Sequence, residues 1–244
     1  MFLLRLLLRN AFRHRLRTGL TIVGLVVAIT AYGLLRTLVE AWYSGVAASS
    51  STRLVTRHAV SLTFALPISY AQRIKAVNGV TTVSWANWFG GYYQEPRNFF
   101  ANFAIEPDSY LHLYPEYVLK DEQRQAFLRD RQGCIVGRKL AERFGWKLGD
   151  VIPLQSNIYP GTWNLTLRGI YDGATKSADE SLLFFQFALL NESIKQRYPG
   201  RGDNTGAFIV GIDNPGNAAV VAKAVDGEFR NSLAETLTET EAAF

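Results

Sequence analysis

The chain has 244 residues and is 48% apolar, long enough to bury a substantial core, which excludes disorder throughout. Its 26 Lys and Arg exceed its 21 Asp and Glu by five, and that surplus lies wholly in residues 1–17, where Arg5, Arg9, Arg13, Arg15 and Arg17 stand without an acid. The rest of the chain is balanced, so no nucleic acid is expected as partner, and the single Cys134 with scattered His14, His58 and His112 excludes an internal disulfide, a CxxC site and an HExxH metal site.

Arg5, Arg9, Arg13 and Arg17 recur every four residues among Phe2, Leu3, Leu4, Leu7, Leu8 and Phe12, which predicts a basic cytoplasmic helix over 1–17 lying on anionic membrane lipid. Each arginine there gains about 1 kcal/mol from the lipid surface. Thr18 to Leu35 is uncharged, and the stretch through Val39 would reach about 33 Å as a helix, matching the hydrocarbon core. Leu, Ile and Val in it contribute about −3 to −5 kcal/mol of insertion free energy. Arg36 sits near the far end, where it can snorkel to the headgroups, and joins Arg15 and Arg17 in the expected membrane-interface set. A transmembrane helix with its outer extension is therefore expected over 18–44. The arginine asymmetry puts the N-terminus in the cytoplasm and the main domain outside. A cleaved signal peptide, with Gly45-Val46-Ala47 as its site, is the competing reading; the apolar run is too long and stops too far from those residues.

Residues 45–232 are expected to form one α+β domain. Residues 54–65 alternate as a strand, and a short helix follows Pro67 and stops at Asn78-Gly79. Val80 to Gln94 and Phe99 to Glu106 read as aromatic strands joined through residues 95–98. A surface helix over 120–131, a buried strand at 134–136, a helix from Arg138 closed by Gly145, and strands at 151–154 and 163–171 come next. Leu182 to Leu190 reads as a buried strand, Ala207 to Ile212 as another, and Asn217 to Arg230 as a helix. The acidic residues 233–244 are expected to leave the domain as a stalk toward a further span.

Trp85, Trp88, Phe89, Tyr92 and Tyr93, continued by Phe99, Phe100 and Phe103, suit either core packing or a patch for substrate or partner. No GxxxxGK[ST] loop or GxSxG elbow occurs. Gly200 to Gly206 has the wrong spacing for a phosphate loop, and Asp121-Glu122 and Asp179-Glu180 point apart. His112 has no partner arrangement for base catalysis, and Asn164-Leu165-Thr166 is a glycosylation sequon on a predicted strand. No catalytic, cofactor-binding or metal-ligating residue is therefore assigned.

The segments at 8–35, 71–93, Cys134–Leu154 (CIVGRKLAERFGWKLGDVIPL), LTLRGIYDG at 165–173 and the final VDGEFRNSLAETLTETEAAF together resemble the N-terminal part of a MacB/FtsX-type ABC transporter permease. The resemblance implies a first transmembrane helix followed by a periplasmic core domain, in which Gly137, Leu140, Ala141, Gly145, Gly149 and Asp150 are turn and packing positions. It also implies a separate ATP-binding subunit as partner, with a second permease copy and a periplasmic adaptor as further candidates. ATP hydrolysis would then belong to the partner. A membrane-anchored periplasmic adaptor or binding module acting without an ATPase is the alternative.

Overall fold

A computed structural model describes residues 15–48 and 51–244, so the arm carrying Arg5, Arg9 and Arg13 lies outside the described residues. The chain divides into two units, before and after the Ala47–Ala48 bond.

The first unit is helix α1 (Arg15–Ala48). Its segment Arg15–Val39 is long and apolar enough to cross a membrane. Arg15, Arg17 and Arg36 are exposed on it. Its threonines fold back onto the helix: Thr21 Oγ1 donates to the Arg17 carbonyl at 2.9 Å, and Thr37 Oγ1 donates to the Gly33 and Leu34 carbonyls. Those hydroxyls are thereby satisfied without water.

The second unit is an α+β domain built on one long sheet. The strands are β1 (Arg53–His58), β2 (Leu66–Pro67), β3 (Val80–Trp88), β4 (Gly91–Tyr93), β5 (Asn102–Ile105), β6 (Tyr117–Val118) and β7 (Gly133–Gly137). They continue as β8 (Val151–Ser156), β9 (Thr162–Gly173), β10 (Leu183–Gln186), β11 (Asn204–Thr205), β12 (Ala207–Ile212) and β13 (Thr236–Thr240). The sheet order is β13-β1-β12-β3-β5-β10-β7-β9-β8-β4, with β6 also on β9 and a separate β2–β11 pair. The pairs β5–β10 and β7–β9 are parallel, and the others along this path are antiparallel.

Successive side chains point to opposite faces, and both faces of this sheet are covered. Val55, Ile209, Ile105, Ile135 and Phe184 pack on one face with Tyr110 of α3 (Pro107–Leu113) and Phe127 of α4 (Asp121–Arg129). On the other face, Leu54, Phe208 and Val210 meet Ile74 of α2 (Tyr70–Lys75) and Val221 and Val225 of α7 (Ala218–Glu228). Further along that face, Cys134, Val136 and Phe185 meet Leu140 of α5 (Arg138–Phe144) and Leu190 of α6 (Phe187–Arg197). The half-buried Trp85 packs against both of these latter clusters.

The glycines of residues 137–150 do the turn and packing work expected of them. A Cβ on Gly137 would lie 2.0 Å from the Glu180 carbonyl oxygen, so only glycine allows that approach. Gly145 ends α5 in the left-handed region at φ 69°, while Leu140 and Ala141 are buried. Gly149 also takes a positive φ, and Asp150 Oδ2 accepts the Lys147 N–H at 2.8 Å to close the turn.

Three expectations need correction. The first strand stops at His58, leaving 59–65 outside any strand; Val60, Leu62 and Phe64 there are exposed. The run at 182–190, apolar except for Gln186, holds a four-residue strand and then turns into α6, because a nearly continuous apolar run has no period to distinguish strand from helix. The segment after residue 233 is not a free stalk over its whole length: Thr236–Thr240 is β13, an edge strand on β1.

Candidate functional site at the paired ends of the domain

The first and last strands of the domain are antiparallel neighbours, with Leu54 opposite Thr240 and the Glu241 N–H donating to the Arg53 carbonyl at 3.1 Å. At this end the Arg53 side chain is buried, and its guanidinium collects partners from two other segments. Nη2 and Nη1 donate to the two Glu116 oxygens at 2.6 and 3.0 Å, Nε donates to Glu241 at 2.7 Å, and Nη1 donates to the Leu113 carbonyl at 2.8 Å. The Tyr114 ring lies beneath, 4.2 Å from the guanidinium carbon.

This is a bidentate, charge-assisted arrangement in a largely dry setting. Burial pulls the Arg53 pKa down, but the Glu116 hydrogen bond and the Glu241 charge outweigh it and hold the group above its ordinary range. Burial also pushes the Tyr110 and Tyr114 phenols well up, keeping them neutral beside the two carboxylates. The outcome is a clamp joining the beginning of β1, the segment after α3 and the end of β13.

Outward from the clamp the two strands stay cross-linked. Thr56 and Thr238 hydroxyls meet at 2.9 Å, Arg57 pairs with Glu239 at 3.2 Å, and Asp226 of α7 accepts from the Thr236 and Thr238 hydroxyls at 2.9 and 2.7 Å. Displacing β13 therefore displaces α7 with it. Nothing in spacing marked Arg53 out, since its carboxylates lie 63 and 188 positions away.

The aromatic cluster is not one surface patch. Phe89 is fully buried, stacked on Tyr159 and edge-on to Trp163 and Phe185. Trp85 meets Phe187 edge-on, and Tyr93 packs on Phe144 and Trp146. Tyr92 is half-buried, its hydroxyl donating to Gln155 Oε1 at 3.1 Å. Of the five candidates only Trp88 is exposed, beside the exposed Phe99. A Cβ at Gly91 would strike the Phe89 ring, so this glycine admits a buried aromatic. His112 is exposed, and Gly200 to Gly206 passes into the short strand β11.

A helix long and apolar enough to cross a membrane leads into a sheet domain whose first and last strands pair. A family model for the MacB-like periplasmic core domain matches residues 18–236, and the chain belongs to that family, the MacB-like periplasmic domains of ABC-type transporter permeases. Solved structures share the fold. The extracellular domain of the noncanonic ABC-type transporter YknZ from Gram-positive bacteria matches with a TM-score of 0.54 at 13% identity, covering 77% of this chain and 100% of that one. The periplasmic region of MacB from Actinobacillus actinomycetemcomitans gives 0.56 at 11% identity, covering 80% and 91%. A domain of a putative permease from Porphyromonas gingivalis gives 0.52 at 13%, covering 78% and 90%. No curated protein matches by sequence.

Proposed function

We propose that this chain is the N-terminal part of a permease subunit of an ABC-type exporter or mechanotransmission complex. In this reading α1 crosses the bacterial inner membrane with its N-terminus in the cytoplasm, and the domain works on the outer side. ATP is hydrolysed by a separate subunit, and this chain carries motion rather than chemistry.

The observation that carries the reading is the pairing of the domain's two ends through β1, β13 and the Arg53 clamp. Force arriving along the chain from α1 meets β1 within a few residues. There it is shared with β13 and, through Asp226, with α7, so the domain moves as a body instead of unravelling from one end. A substrate or partner protein would be engaged by that moving body, alongside a second permease copy and a periplasmic adaptor.

The test is purification of the full chain from its native membrane after mild cross-linking. Recovery of a nucleotide-binding subunit carrying a GxxxxGK[ST] loop, with ATPase activity altered by Arg53→Ala, supports the reading. Recovery of the chain without any such subunit favours the anchored adaptor.

A further inference from the structure

We propose that a surface cleft at the end of β3 remote from Arg53 binds a small organic carboxylate with a planar or branched apolar body. The proposal stands apart from the permease reading. The cleft measures about 300 Å³, at the small end of the range for small-molecule sites. It lies between α6, the turn at 158–161, Trp163 of β9 and Asn87 near the end of β3.

Its charge is one-sided. Arg197 lies with its guanidinium carbon 5.8 Å from the Trp163 ring centre and donates one hydrogen bond to the Pro160 carbonyl. Arg201 stands 5.5 Å from the Tyr198 ring centre. Among the described residues no Asp or Glu lines the cleft, and the nearby Glu192 and Asp203 are both taken by Lys195, at 3.7 and 2.8 Å. Two guanidinium groups therefore face a space without a counter-charge of its own, held over aromatic rings that leave most of their N–H donors unused.

A buried donor points the same way. Asn87 is 6% exposed, and its Oδ1 is fixed by accepting from Thr205 Oγ1 at 2.9 Å and the Gly206 N–H at 2.8 Å. That fixes the amide orientation and turns Nδ2 toward the cleft, where its hydrogen bond to the Tyr159 hydroxyl is long, 3.5 Å. A buried N–H with one long bond is a place where a ligand oxygen gains. The apolar part of the cleft, with Ile158 and Ile194 beside the Tyr159 and Trp163 rings, suits a flat or branched body.

The cleft is also preformed. Asn191 and Asp203 exchange hydrogen bonds of 2.9 and 2.7 Å, pinning the loop after α6 onto that helix. Gly161 has no side chain to crowd Arg197: a Cβ there would come within 3.1 Å of Nη2. Little ordering remains to be done on binding.

The experiment is calorimetric titration of the full chain in lipid nanodiscs. The probes are 3-phenylpropionate and the peptide Ala-Ala-Phe, each beside its uncharged amide. The expected result is saturable one-site binding of at least one acid, at least tenfold weaker binding of its amide, and at least tenfold weakening by Arg201→Gln or Arg197→Gln. Tighter binding of phenylpropionate assigns the site to free small acids; tighter binding of the peptide assigns it to chain ends. Absence of saturable binding by both acids, or equal binding of acid and amide, overturns the proposal. So does binding unaffected by both substitutions. Arg201 is exposed, so its replacement leaves the fold intact, and the amide comparison decides even if Arg197→Gln does not fold.

Discussion

Replacing Arg53 with Ala removes the cation on which Glu116 and Glu241 converge, their side chains only 21% and 18% exposed. Two partly buried carboxylates then lose the cation they share, with the Leu113 carbonyl losing its guanidinium donor and the Tyr114 ring stripped of its cover. Breaking a buried ion pair from one side costs about 3–5 kcal/mol, a large share of the roughly 5–15 kcal/mol that holds a domain folded. For a domain of this size that is a fall in melting temperature of about 6–20 °C. The assay is thermal unfolding of the full chain in detergent, followed by near-ultraviolet circular dichroism. Replacing the three charged residues together by apolar residues of similar volume should restore most of the loss, since the triad's own net worth is small. A single Arg53→Ala loss below about 1 kcal/mol would refute the clamp, because that is the worth of an exposed pair.

Two further outcomes follow from the packing. Cys134 is fully buried and its thiol is pushed up by burial, then by the Asp130 charge, so it should resist a thiol reagent at pH 8 until the domain is unfolded; rapid stoichiometric labelling of the folded chain would contradict its place in the core. Gly137→Ala should destabilise by about 3 kcal/mol or prevent folding, because its Cβ meets the rigid Glu180 backbone, whereas Gly145→Ala, with open space around it, should cost only about 1 kcal/mol for its left-handed φ; equal losses in chemical denaturation would refute the distinction.

Where sequence reasoning worked, a local rule carried it. An uncharged run of membrane length marked α1, Gly145 marked the end of α5, and strict alternation marked β9. Where it failed, no local rule applied. Leu182 to Leu190 is apolar except for Gln186 and shows no period, so only its neighbours decide that Phe187 begins a helix. Leu233 to Phe244 looks like exposed acidic chain because β13 is an edge strand. Glu239 and Glu241 there are not solvating a stalk but pairing with Arg57 and Arg53 of β1. The Arg53 clamp was illegible for the same reason: its three charges come from the first strand, the segment after α3 and the end of the last strand, which only the folded sheet brings together. Among the aromatics, local composition identified a dense cluster, but burial sorted it, placing Phe89 inside and Trp88 outside on the same short stretch.

The account rests on α1 crossing the membrane with the domain outside, and the buried Cys134 makes that directly measurable. Thr63→Cys and Arg15→Cys both place a thiol at an exposed position, one in the loop after β1 and one at the beginning of α1. A membrane-impermeant maleimide added to intact spheroplasts should label position 63 and leave position 15 unlabelled until the membrane is opened. Labelling of position 15 from outside, with position 63 protected, would contradict the topology and the permease reading with it.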